Sequence, residues 1–106
     1  MINRGDIRWF RFSAPDKRRP VLIVGRQDIL SSLSQVPVIP VSTTTRGLGW
    51  EVPLSAEDGL PMPCVLKPEW IRIVERKYLG HLIATLPENR WPEVRAALLD
   101  VLGFEP

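Results

Sequence analysis

Apolar positions along this chain come in short blocks of four to six residues, cut by proline, glycine and small polar residues. Residues 7–12 (IRWFRF) mix aromatic and branched side chains with Arg8 and Arg11 and read as a first strand. After the turn SAPDKR, residues 21–24 (VLIV) form an unbroken apolar run suited to a central strand. Residues 28–33 have room for one or two helical turns. Residues 36–41 (VPVIPV) are β-branched, and their two prolines suggest an edge position or a bulge. Residues 42–49 (STTTRGLG) read as a polar loop. Short strands are expected at 50–54 and 64–66, on either side of a proline-rich connection, and again at 69–74 (EWIRIV) and 79–86.

Only the end of the chain carries a helical period. Trp91, Val94, Ala97, Leu98 and Val101 recur at three- and four-residue steps and make one apolar stripe. Asn89 is the expected cap, Pro92 suits the first turn, and Gly103 suits the end. The pattern therefore predicts a mainly β fold (α+β): a strongly bent antiparallel sheet, barrel-like, with short helices and one C-terminal helix. No repeat or linker interrupts it, so residues 1–106 are expected to form a single domain.

Composition narrows the function classes. Hydrophobic residues at 44% and charged residues at 25% are ordinary for a soluble globular chain. No apolar run approaches the roughly 20 residues that span a bilayer, and the first residues lack the apolar core of a signal peptide. No membrane association is expected, and a cytoplasmic location is. With one cysteine, Cys64, and one histidine, His81, no disulfide framework, metal site or Cys-His nucleophile pair is expected, and no cofactor. A net charge of +2 permits nucleic-acid binding if the basic residues cluster.

Four blocks carry a likeness to a known family. RGDIRWFRF, RRPVLIV, VIPVSTTTRGLGWEVPL and CVLKPEWIRIV resemble, in that order, successive blocks of the MazF/PemK toxins of bacterial type II toxin–antitoxin pairs. The likeness implies a small SH3-like sheet, shared with the gyrase-poisoning CcdB toxins, closed by a C-terminal helix. It implies an endoribonuclease that cuts single-stranded RNA sequence-selectively without a metal and acts as a homodimer. The implied antitoxin has an acidic, partly disordered C-terminal segment, and DNA is reached only indirectly through it. Two other functions fit the same likeness: a CcdB-like toxin acting on a protein such as DNA gyrase through the exposed tail Phe104-Glu105-Pro106, or an inactive RNA-binding homologue.

RNA cleavage by the substrate's own 2′-hydroxyl needs a base, cations for the phosphorane charge, and donors at phosphate oxygens. Arg19 matches the family's catalytic arginine before proline, and its planar fork suits phosphate oxygens. Ser42 falls at the family's Ser/Thr position, with Thr43 beside it. Lys67 and Glu69 fall where one PemK-like branch has Arg-x-Asp, its acidic residue the proposed base and its arginine the proposed acid, so both are implied catalytic residues, with the roles of base and acid left open between them. Period-two spacing would put these two side chains on one face of an extended segment. Lys17, Arg18, Arg46 and Trp50 are the expected RNA contacts; Trp9, Trp50 and Trp70 read first as core or dimer contacts, with Trp50 the one expected to stack a base if any of them does. The bland alternative makes Arg18 and Arg19 a solvated turn and Lys67–Glu69 an exposed strand pair. The chain departs from the family in its short first loop, without histidine, and in Trp70 where glutamine is common. Both departures bear on cleavage preference.

Overall fold

The computed structural model describes residues 1–13 and 18–105. Lys17, one of the expected RNA contacts, and Pro106 of the expected tail lie outside the described residues. The strands are β1 (Asp6–Arg11), β2 (Arg18–Ile23), β3 (Gln35–Ser42), β4 (Val52–Leu54), β5 (Cys64–Leu66), β6 (Arg72–Glu75) and β7 (Leu79–Thr85). The helices are α1 (Gln27–Leu30) and α2 (Trp91–Leu102). The strands pair antiparallel in the order β4-β5-β3-β2-β1-β7, with β6 as a further neighbour of β3. The result is a curled half-barrel closed by α2, as expected for the fold class.

The apolar runs are unbroken in the middle because the central strands are covered on both faces. Leu22 pairs with Ile39 across β2 and β3, and both enter one core with Ile7, Leu66, Val94 and Ala97. Their neighbours Ile23 and Val38 pair next in register and enter a second core with Leu30, Val36 and Val74. Each of Leu22, Ile39, Ile23 and Val38 is fully buried. Truncating any of the larger ones to alanine should cost about 2–5 kcal/mol.

The prolines of β3 do not place it at an edge. Its 38–40 stretch pairs β2 on one side, while the other side pairs β6 over 35–38 and β5 over 41–42. Within an antiparallel strand one residue points its N–H and C=O to the same side. The Pro40 carbonyl accepts from the Lys67 amide at 2.9 Å, so its missing N–H falls in the gap where β6 gives way to β5. The Pro37 carbonyl accepts from the Val24 amide at 3.1 Å, just past the end of β2. Both prolines therefore occupy ladder positions that need no donor.

Two other expectations are corrected. Residues 68–70 form a single 3-10 turn, and the strand expected at 69–74 begins only at Arg72, because Pro68 opens a turn rather than extending a ladder. Asn89 does not cap α2: it lies inside a 3-10 turn over Glu88–Arg90, and Arg90 occupies the cap position without a side-chain cap bond. Arg90 instead straps the helix start to the sheet. Its Nη1 donates to Asp58 Oδ1 at 2.7 Å, Nη2 to the Pro53 carbonyl at 2.6 Å, and Nε to Glu93 at 3.0 Å. Pro92 and Gly103 do hold the first turn and the end, Gly103 at φ +80°.

Candidate functional site

β2 fixes Arg18 and Arg19 on opposite faces of the sheet edge. Arg19 pairs with Phe10 of β1, and Pro20 follows it with its φ already set. The Arg18 guanidinium carbon sits 4.4 Å from the centre of the Trp9 ring. That of Arg19 lies 5.4 Å from the Trp70 ring centre and 5.8 Å from that of Phe12.

Two grooves meet at Arg19. The first, about 370 Å³, is walled by Arg18, Arg19, Pro20, Ser42 and Thr43, with Trp9 and Met62 beside them. The antiparallel return of β3 beside β2 carries Ser42 to this groove from more than twenty residues away in sequence. The Ser42 hydroxyl accepts from the Thr44 amide at 3.1 Å, which orients it while its own hydrogen stays available for donation. Cys64 also lines the groove, but burial and then the Asp58 charge push its thiol above the usual range, so it stays protonated and a poor nucleophile. The second groove, about 460 Å³, is walled by Arg19, Arg72, Trp70, Phe12 and Pro40.

Lys67 and Glu69 come together, but not as an exposed strand pair. The 3-10 turn brings Lys67 Nζ within 3.4 Å of Glu69 Oε2. Lys67 is deeply buried, its side chain 2% exposed, and its shortest bond is to Glu51 Oε2 at 2.6 Å. Among the described residues, neither Lys67 nor Glu69 lines either groove. They approach through Trp70, whose ring centre lies 5.1 Å from Lys67 Nζ and 5.4 Å from the Arg19 guanidinium carbon. The Glu69 side chain is 26% exposed, and its Oε1 is a buried acceptor with no bonded partner among the described residues.

Sequence reasoning missed Glu51. Its carboxylate receives Lys67 Nζ, the Thr45 hydroxyl at 2.8 Å, and the Arg46 and Leu48 amides at 3.1–3.2 Å. The loop after Ser42 is thus wound around one buried carboxylate. Lys67 first, with help from the loop donors against the cost of burial, holds that carboxyl at about 2. The only signal in the sequence was a lone charge in WEVPL. Arg72 was missed as well: it looked like the polar position of an alternating strand, yet its guanidinium carbon lies 4.8 Å from the Phe12 ring centre.

Arg46 keeps an exposed side chain while its amide is bound to Glu51. Trp50, the expected stacking aromatic, is half-buried and packs against the first core, while Trp70, at 39% exposed, lines the second groove and Trp9 the first. No helix among the described residues is long and apolar enough to cross a membrane.

The fold as a whole has counterparts in known proteins. Endoribonuclease MazF3 of Mycobacterium tuberculosis is 37% identical over 83 residues, covering 78% of this chain and 81% of its own. The solved M. tuberculosis toxin MazF-mt6 superposes with a TM-score of 0.87 at 32% identity, over 95% of this chain and 99% of that one. A MazE–MazF crystal structure from Deinococcus radiodurans gives a TM-score of 0.81 at 25% identity, over 98% of each chain. The family description "PemK-like, MazF-like toxin of type II toxin-antitoxin system" matches residues 3–102. With the fold and the family match both spanning nearly its whole length, the chain belongs to the MazF/PemK toxins.

Proposed function

We propose that this chain is an endoribonuclease toxin that cuts single-stranded RNA without a metal, through attack of a ribose 2′-hydroxyl on the adjacent phosphorus. Arg19 holds the non-bridging oxygens as charge builds on the phosphorane, and its fixed cation costs no reorganisation at that moment. Ser42 donates to a phosphate oxygen, and Thr43 lies beside it. Glu69 is assigned the 2′-hydroxyl proton on the family likeness alone, since it lines neither groove, and Lys67, buried out of reach of RNA, is a positioning residue that holds Glu69 and Glu51. The bond to the 5′-oxygen breaks, that oxygen takes a proton from solvent water and leaves as a hydroxyl, and the other fragment keeps a 2′,3′-cyclic phosphate.

The observation that carries this reading is the shared groove of Arg19 and Ser42, in a chain whose relatives are named endoribonucleases. Arg18 and Arg46 contribute exposed positive charge around it. The same charge suits an acidic antitoxin segment, a partner supported by the MazE–MazF complex among the structural neighbours. The exposed Leu33, Ile73 and Tyr78 support a homodimer. The proposed setting is the cytoplasm.

Single-turnover cleavage of a labelled RNA tests the assignment. Arg19→Ala should cut about 100-fold more slowly or worse, with thermal stability kept, since removing one preorganised donor typically costs that much. Cleavage by Arg19→Ala at the wild-type rate would remove the arginine from the mechanism.

A further inference from the structure

We propose that the groove formed by Phe12, Arg19, Trp70 and Arg72 is a subsite for the nucleotide next to the cleaved phosphodiester. Its base stacks on Trp70 and its phosphate is held by Arg72. The inference deepens the endoribonuclease reading and rests on it.

Arg19 is common to both grooves. A phosphodiester seated on it between Ser42 and Trp70 therefore sends one flank of the strand into the second groove. That groove has the size of small-ligand sites, about 460 Å³, within the roughly 300–1,000 Å³ usual for such sites. Its residue types match an unpaired nucleotide. Trp70 is 39% exposed and lines this groove with an indole, which carries a wide π-face. Arg72 and Arg19 approach the same Phe12 ring, 4.8 and 5.8 Å from its centre, so a second guanidinium stands one step from the first. Phe12, 7% exposed, is buried beneath them as a rigid floor.

An indole reads a base by the area of its face rather than by the pattern on its edge. The subsite should therefore favour purines over pyrimidines at one position beside the cut and distinguish adenine from guanine poorly.

The test is cleavage of a randomised RNA pool by the wild type, Trp70→Phe, Trp70→Gln and Arg72→Ala, with the cut sites sequenced. Wild type and Trp70→Phe should share a purine preference at one flanking position, and Trp70→Gln should lose about tenfold of it. Arg72→Ala should raise KM about equally for all sequences with kcat kept, and lower the salt slope of binding by about 0.7. An unchanged cut profile and KM in Trp70→Gln overturn the subsite. Binding of 2′-O-methylated oligonucleotides, which cannot be cut this way, separates the two levels. If the wild type cuts nothing but binds purine-rich strands better than Trp70→Gln does, the subsite stands and the nuclease reading falls. If Trp70→Gln binds them as the wild type does, the subsite falls.

Discussion

Glu51 and Lys67 illustrate how a buried charge pair can organise a loop it does not belong to. Burying either ion alone would be costly, and the short bond between them, with three loop donors, makes the arrangement tolerable. Because the Glu51 carboxyl is held well below its ordinary value, its contribution to stability is full above about pH 4.5 and is lost as pH falls toward about 2. Glu51→Gln should thus be clearly less stable than the wild type at pH 7, and the gap should narrow between pH 4.5 and 2. Urea denaturation across that range checks it, and a gap independent of pH would mean the charge pair is not the cause. In the proposed mechanism the planar fork of Arg19 matters more than its charge: Arg19→Lys should recover only a small part of the activity lost in Arg19→Ala, read as single-turnover rates. The Arg-Pro and Pro-x-Ser patterns singled out Arg19, directly before Pro20, and Ser42, two residues after Pro40, and the fold brings both to one groove. The burial of Lys67 was not legible, because it depends on a carboxylate 16 positions away across a loop. Choosing between Trp50 and Trp70 likewise needed the three-dimensional neighbours of each ring.

At the scale of elements, the strands were readable where a short apolar run met a turn signal, as at β2 and β5, and the C-terminal helix where its stripe persisted for three turns. The errors came from residues whose meaning depends on a partner strand. Pro37 and Pro40 look like edge signals until β3 is seen to change partners beside them. Asn89 looks like a cap until Arg90 is seen gripping Asp58. That grip makes a prediction: Arg90→Met leaves the Asp58 side chain, 6% exposed, without its cation and should cost about 3 kcal/mol, measured as a lower urea midpoint. Gly59 makes another. It sits at φ +89°, and a Cβ there would lie 2.9 Å from the Ala84 Cβ, so Gly59→Ala should lower the melting temperature by several degrees. Restoring room with Ala84→Gly should recover only part of that loss, because the backbone strain remains.

For the molecule as a whole, the curled sheet matters because it gathers Arg18, Arg19 and Arg72 along one run of grooves while the net charge stays at only +2. The overall charge therefore understates the local field that RNA would meet. Single-strand binding should weaken steeply with salt, with a slope near −0.7 for each phosphate neutralised. The most direct test of the central claim is to incubate the purified protein with mixed-sequence RNA in excess EDTA and identify the new ends. The account predicts cleavage with 5′-hydroxyl and 2′,3′-cyclic phosphate ends, abolished in Arg19→Ala. RNA left intact at high protein concentration, or new ends bearing 5′-phosphates, would contradict it.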